Sequence, residues 1–238
     1  MTAIDFSAFE VLTFDCYGTL IDWEGGLLAA LRPILTAHGA CPDDDEVLEA
    51  YARCESALEA GPYMPYRTIL GEALRAVADR FGFTPSADEV THFAASPEAW
   101  PAFGDSADAL RQLHEHYRLG VITNCDDDLF AFANRKLHEP FDWIVTAQQA
   151  RAYKPDPRVF EVALERIGIP PTRILHLAQS LYHDHVPAKR LGLTTVWIDR
   201  RHMAAGFGAP PQASADPDLT LPDMRSLAAL TMENSHGR

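Results

Sequence analysis

Three observations predict an α/β fold: a parallel sheet flanked by helices, with an all-helical insertion after the first strand. From Pro101 onward, helical patterns alternate with short apolar, β-prone runs. That order builds parallel strands joined by right-handed crossovers. Between Trp23 and about Trp100 only helical patterns occur, with no internal repeat. Ahead of both, Val11-Leu12-Thr13-Phe14 reads as a buried strand that ends on Asp15. Ligands of an open parallel sheet bind beyond the carboxyl ends of its strands, so this carboxylate stands at the mouth of a site. Taken alone, it could equally open an ordinary Asx-turn.

Each element has its own warrant. Gly18 permits a tight turn after Asp15, and Thr19 brings a hydroxyl to that turn's free backbone N–H groups. Gly25-Gly26 leads into a helix over about Leu27–His38, kinked at Pro33 and ended by Gly39. Pro42 and the run Asp43-Asp44-Asp45 suit the start of a second helix, where negative charge complements the dipole. Its Val47, Tyr51, Cys54 and Leu58 recur at helical spacing and predict one buried face. Arg53 falls off that face, one turn after Glu49, where a weak surface ion pair would sit. After the break at Gly61–Pro65, a third helix is expected over about Tyr66–Phe81, then a short one over about Ala87–Ala95.

Beyond Pro101 the expected order is helix Ser106–Tyr117, strand Leu119–Thr123, helix Asp127–Leu137 and strand Trp143–Thr146. Helix Pro157–Ile167, strand Arg173–Leu177, helix Asp184–Leu191 and strand Thr194–Ile198 follow. A Gly-, Pro- and Ala-rich loop over Arg200–Pro217, a strand at Leu219–Thr220 and a helix over Asp223–Leu230 close the chain, with ENSHGR frayed.

Composition narrows the function. The chain has 238 residues and 47% hydrophobic content, enough for one large domain or a core with a sizeable insertion. A net charge of −14 argues against a nucleic-acid partner and against an acidic membrane surface. An anionic substrate would therefore need a local cation. The opening MTAIDFSAFE has no leader pattern, and no apolar run reaches membrane length, so a cytoplasmic location is expected. The four cysteines, Cys16, Cys41, Cys54 and Cys125, lack paired or metal-ligand spacing and read as reduced thiols.

Residues just after each strand should converge on one sheet edge. They are Asp15, Thr123 with Asn124, Lys154 in the run YKPDP, and the loop Ala178–Asp184. Alone, Lys154 reads as a surface lysine and Thr123-Asn124 as a helix cap. In this order and placement the set resembles the haloacid dehalogenase superfamily over nearly the whole chain. FDCYGTL and YKPDPRVF look like its L-2-haloacid dehalogenase branch. AQSLYHDHVPA, FDCYGTLIDWE and RCES are similar to the azetidine-2-carboxylate hydrolases.

The resemblance implies a Rossmann-like core over 1–22 and 99–238, with a helical cap domain over 23–98. It implies that Asp15 is a nucleophile that forms an ester with substrate, held ionised by Lys154. Water then attacks the ester, with Lys154, backbone N–H groups and Thr19 around the oxyanion and Asp184 orienting Lys154 or activating the water. Thr123 and Asn124 are expected to grip a substrate carboxylate. Tyr17, Ser180 and His183 would line the pocket, and Arg53 would receive the carboxylate or a leaving halide.

Departures from the family's phosphatases matter here. Tyr17 stands where they carry a proton-donating Asp, and Ser180 where metal-using members carry an acid. A phenol with a pKa of about 10 is a poor substitute for that acid, and Asp184 alone is a poor shell for Mg²⁺. No metal and no cofactor are expected. Gln179, Leu181 and Phe160, in place of a dehalogenase's Ser, Asn and Tyr, and the flanking His183 and His185, keep two reactions open. One is (S)-2-haloacid dehalogenation and the other is C–N ring opening of azetidine-2-carboxylate. A Mg-dependent phosphatase and an inactive binding member are the further alternatives. The histidines are read as surface or supporting imidazoles, and a homodimer is an expectation of the resemblance alone.

Overall fold

The structure is a computed structural model and describes residues 4–138, 141–201 and 213–235. The strands β1 (Val11–Phe14), β2 (Arg118–Thr123), β3 (Trp143–Thr146), β4 (Ile174–Ala178), β5 (Thr194–Ile198) and β6 (Leu219–Leu221) form one sheet. Its order is β3-β2-β1-β4-β5-β6, with every neighbouring pair parallel. β1 and β4 are buried along their whole length, as apolar runs covered on both faces should be. The chain winds one way from β1 through β2 to β3 and the other way from β4 to β6. The crevice between the two halves therefore opens at the carboxyl ends of β1 and β4.

Four helices follow β1: α1 (Trp23–Ala37), α2 (Asp44–Glu59), α3 (Tyr66–Arg80) and α4 (Ala87–Ala95). α1 begins at Trp23 rather than Leu27 because the Asp22 carboxylate accepts from the Gly25 N–H, and it runs on through Pro33. Asp43 caps α2, and Ser86 with Glu89 forms a reciprocal capping box on α4. α3 is capped from outside the block. The Asp126 carboxylate accepts from the N–H groups of Tyr66 (3.0 Å) and Arg67 (3.2 Å).

Arg67 reaches Glu98 and Asp128 at 2.8 Å each, and the Tyr153 hydroxyl donates to the Met64 carbonyl at 2.8 Å. Such contacts tie the helical block to the rim of the sheet. Its apolar face, with Leu27, Leu31, Tyr51, Ile69 and Leu74, belongs to the same continuous cluster as Phe14, Leu119 and Leu175. Gly26 sits where α1 crosses Trp100, and a Cβ there would overlap the indole. Gly26→Ala is expected to cost about 1–3 kcal/mol by overpacking, read as a lowered denaturant midpoint at unchanged slope.

The remaining helices are α5 (Ser106–His114), α6 (Asp127–Leu137), α7 (Ala147–Ala150), α8 (Pro157–Ile167), α9 (Val186–Arg190) and α10 (Met224–Ser235). Three differences from the expected pattern have local causes. The loop after β3 contains the short α7, which starts where the Thr146 hydroxyl accepts from Gln149 N–H. The helix expected over Asp184–Leu191 is a single wide, π-type turn at Leu181–His185 that leads into α9. α5 stops at His114, ahead of the expected Tyr117. The loop expected over 200–217 is described only at its two ends, and of the tail expected to fray, α10 covers the backbone to Ser235 while 236–238 lie outside the described residues. No helix among the described residues is long and apolar enough to cross a membrane.

Candidate active site

Asp15 leaves the end of β1 and is nearly buried. Gly18, at φ +92°, turns the chain back, so Thr19 lies beneath the carboxylate it follows. The Thr19 hydroxyl donates to Asp15 Oδ2 at 2.7 Å and accepts from Gln179 N–H at 2.9 Å. Lys154, on the loop after β3, donates to Asp15 Oδ1 at 2.8 Å, to Asp184 Oδ1 at 2.6 Å and to the Ile122 carbonyl at 2.9 Å. These three bonds use all three N–H groups of the ammonium. Lys154 is therefore a strut between two carboxylates, with no proton left for the oxyanion expected of it from the sequence.

Asp184 stands in the π-type turn after β4, and its Oδ1 also meets His176 Nε2 at 3.1 Å. His176 is wholly buried, with Nδ1 at 3.0 Å from the Thr13 hydroxyl. Burial alone would raise the Asp184 carboxyl, but the Lys154 ammonium and the His176 ring outweigh it and hold it well below the usual carboxylate range. Asp15 goes the other way. Burial pushes its carboxyl above the ordinary value, and the Lys154 ammonium opposes that only in part. Burial likewise lowers Lys154, yet its two carboxylate neighbours win and raise it, so it stays charged.

The helical block closes the other side. Beside Asp15, Asn124, Lys154 and Asp184, a narrow recess of about 50 Å³ is lined by Trp23, Glu55, Glu59 and Tyr66. It adjoins a wider chamber of about 270 Å³ that shares Glu59, Lys154 and His183 and includes Tyr63 and Arg151. Glu55 Oε1 accepts from the hydroxyls of Tyr51 (2.9 Å) and Tyr66 (2.7 Å). Glu59 accepts from the Asn124 amide at 3.3 and 3.4 Å.

The family described as "Hydrolase: haloacid dehalogenase-like hydrolase" matches residues 9–178, which takes in β1 through β4 and most of this site. The chain is a haloacid dehalogenase-like hydrolase. It is 28% identical over 201 residues to an (S)-2-haloacid dehalogenase of Pseudomonas fluorescens, covering 80% of this chain and 85% of that protein. It is also 28% identical over 151 residues to haloacid dehalogenase-like hydrolase domain-containing protein 3 of Danio rerio. That match covers 63% of this chain and only 60% of the relative's length. Among solved structures, the L-2-haloacid dehalogenase from Xanthobacter autotrophicus superposes with a TM-score of 0.78 at 18% identity. The superposition covers 94% of this chain and 98% of that one, and shows a shared fold.

Within this hydrolase, the residues singled out from sequence do not all meet. Asp15, Thr19, Lys154, Asp184, Tyr17, Asn124, Ser180 and His183 surround or support the recess. Arg53 does not. Its side chain is 70% exposed on the outer face of α2, 3.3 Å from Glu49, so it cannot receive a substrate in the recess as expected. Thr123 is also corrected. It is fully buried with its hydroxyl directed to Cys125 Sγ at 3.5 Å, and it does not line the recess.

Asn124 binds protein rather than presenting free groups. Its amide oxygen accepts from Lys154 N–H at 2.7 Å, and its NH₂ donates to the Lys154 carbonyl at 3.0 Å. It thereby fixes the backbone that carries the ammonium. The Tyr17 hydroxyl donates to the Leu129 carbonyl at 3.4 Å, while its ring meets Trp100 edge to face. Burial raises that phenol well above its ordinary value, which removes it as a proton donor to a leaving group.

Ser180 Oγ accepts from His183 N–H and lies 3.1 Å from His183 Nδ1, orienting the imidazole. His183 and His185 are neither surface groups nor protonated. Burial lowers both to about 4, and His185 Nε2 lies 3.0 Å from the Ala178 carbonyl. Cys16 and Cys125 are buried and held as thiols by that burial, so neither competes as nucleophile.

The donors do not fit Mg²⁺, which takes near-octahedral oxygen ligands. Asp15 Oδ1 and Asp184 Oδ1 both face the Lys154 ammonium, and the Ser180 hydroxyl is turned to His183. Among the described residues, no group of three or more His, Cys, Asp or Glu side chains is arranged to hold a metal ion.

Sequence reasoning missed four supporting residues. His176 sits inside an apolar strand run and reads there as core. Arg200, assigned to the tail loop, donates to the Thr19 carbonyl at 2.8 and 3.0 Å and to Asp105, pinning the turn under Asp15. Glu55 and Glu59 look like solvent-facing helix residues, although their spacing from Val47 and Tyr51 places all four on one stripe.

Glu55 also marks the stability profile. Burial raises it from 4.5 to about 7, against the two tyrosine hydrogen bonds. The folded protein then keeps a proton that the unfolded chain releases, so this group's contribution is lost as pH rises between about 4.5 and 7. The expected loss is at most about 3 kcal/mol. Glu55→Gln should flatten that slope in denaturant unfolding across the same range.

Proposed function

We propose that this hydrolase cleaves a bond at C2 of a small carboxylic acid by way of an ester on Asp15, without a metal ion. What carries the reading is the Asp15 carboxylate at the recess, with Oδ1 on Lys154 and Oδ2 on Thr19. In the first step an Asp15 oxygen bonds to C2, and the departing group leaves with the electron pair of its old bond. In the second, water attacks the Asp15 carbonyl carbon, the bond from that carbon to the substrate oxygen breaks, and a 2-hydroxy acid departs. Lys154 and Asp184 hold the carboxylate in line throughout. Residues 1–22 and 99–238 act as the core and the helical block 23–98 as its cap.

Neither step asks for a proton donor at the leaving group, which suits a halide. By similarity alone, (S)-2-haloacids are the leading substrates, on the strength of the Pseudomonas fluorescens relative. Ring opening of azetidine-2-carboxylate is the second reading. It is favoured because the helical wall presents Glu55 and Glu59, while Arg53 faces solvent.

Single turnover in ¹⁸O-water with enzyme in excess tests the shared chemistry. Heavy oxygen is expected in the Asp15 side chain, and its absence there, with label directly in product, would falsify the ester. Halide release from L-2-halopropionate against ring opening of azetidine-2-carboxylate then separates the two substrates. Release of phosphate from p-nitrophenyl phosphate with added Mg²⁺ is expected to be nil.

A further inference from the structure

We infer that Glu55 and Glu59 form a receptor for a protonated amine, so that the substrate is a small carboxylic acid carrying an ammonium group. This rests on the reading of Asp15 as nucleophile and adds to it which end of the substrate the helical wall holds.

The stripe Val47, Tyr51, Glu55, Glu59 runs down the inward face of α2 and turns two carboxyl groups into the recess shared with Asp15. Glu55 is buried, and the Glu59 side chain is 6% exposed. Their hydrogen-bond donors are all neutral: the hydroxyls of Tyr51 and Tyr66, and the amide of Asn124. Among the described residues, no lysine or arginine bonds to either. Lys154, the cation that lines the recess, is fully committed to Asp15, Asp184 and the Ile122 carbonyl.

A third group points the same way. His183 Nε2 is shut off from solvent with no hydrogen-bond partner, and it stops 3.7 Å short of Glu59 Oε2. Buried polar groups are normally paired, so the wall presents acceptors and an idle imidazole nitrogen around one small volume. The recess thus gathers four carboxyl groups against one occupied ammonium. A substrate bearing only negative charge finds no free cation among these groups, whereas an ammonium would let the two glutamates ionise and pair with it. Burial holds both glutamates above the usual carboxylate range, a cost that an incoming cation reverses.

A two-residue hydrogen-bond hub explains less. It accounts for Glu55 between its tyrosines, but it leaves Glu59 with two long amide contacts and His183 Nε2 with no hydrogen-bond partner. The chemistry also agrees. With Asp15 on the sheet side and the glutamates on the helix side, attack on carbon would expel a nitrogen that already carries its proton. The C–N bond electrons pass to that nitrogen, which departs as a neutral amine.

Two probes of the same ring size decide it: azetidine-2-carboxylate and cyclobutanecarboxylate, in which CH₂ replaces the ammonium. Binding is measured by calorimetry on the Asp15→Asn protein, which cannot turn over. The amine is expected to bind at least about tenfold tighter than the carbocycle, the scale of a charge-assisted contact. Glu59→Gln in that background should erase the preference while leaving cyclobutanecarboxylate unchanged or tighter, and Glu59→Asp should restore part of it. Equal binding of the two probes overturns the proposal, as does a Gln variant that weakens both alike. If Glu55→Gln fails to fold, Glu59→Gln alone decides. Discrimination between the probes without label entering Asp15 would sink the ester and leave the receptor standing. Label from a halopropionate without discrimination would do the reverse.

Discussion

Asp15→Asn is expected to fold and to lose turnover by on the order of 10⁴-fold or more, the scale seen when a covalent nucleophile is removed. An amide oxygen is a weak nucleophile toward carbon, and the product of its attack cannot be cleaved by water in the way an ester is. The fold should survive because the neighbours stay bonded. Lys154 keeps Asp184 and the Ile122 carbonyl, and Thr19 keeps the Gln179 N–H. Rates under saturating substrate, beside a thermal melt within a few degrees of the parent, check both halves. Unchanged turnover would show that Asp15 is not the nucleophile, whereas no turnover in either protein would point to a binding protein that merely shares the fold.

Lys154→Met carries the largest expected effect on stability. One ammonium serves Asp15 and Asp184 together at 2.8 and 2.6 Å, with every group almost wholly out of water. Without it, two buried carboxylates face each other, and losing one partner of a buried ion pair costs about 3–5 kcal/mol. Activity should fall with it, because one of the two acids must then bind a proton.

Across about pH 4 to 8 the fall of stability with rising pH should become steeper than in the parent. In the parent, the Asp184 carboxyl lies below its unfolded value, so its contribution is present above the ordinary carboxylate range and is lost as pH falls through the folded value. In Lys154→Met the uncompensated carboxyl would lie above its unfolded value, so stability would fall as pH rises. Denaturant midpoints from about pH 4 to 8 for both proteins test this, and parallel curves would show that Lys154 does not act as the shared counter-charge.

The strand ends and the helical block were legible because hydrophobic periodicity and turn chemistry are local. Helices α4, α6 and α8 and strands β3 and β5 start and stop where side-chain caps and the apolar pattern place them. The proposed catalytic trio was legible for a related reason. A parallel sheet brings the ends of its strands to one edge, so order along the chain is enough to place Asp15, Lys154 and Asp184 together. Arg53 and Glu55, two residues apart on α2, show where that reasoning stops. The apolar residues Val47, Tyr51, Cys54 and Leu58 predict one face, and Arg53 falls off it, but nothing in that pattern places Glu55 or Glu59. In the structure the inward stripe continues through Glu55 and Glu59, while Cys54 and Leu58 are only partly covered.

The sequence by itself determined the α/β architecture, the helical insertion and the set of charged groups that meets at the mouth of the sheet. All of these follow from patterns within a few residues and from the single edge that a parallel sheet offers. Only the tertiary structure decided that Lys154 has no bond to spare, that His176 and Arg200 brace the acids and the turn, and that acidic groups rather than a guanidinium face the recess. The last of these depends on the rotation of α2 against the sheet. A helix turns about 100° per residue, so Arg53 and Glu55, two positions apart, fall on opposite sides of α2, and nothing along the chain announces which one the core has accepted.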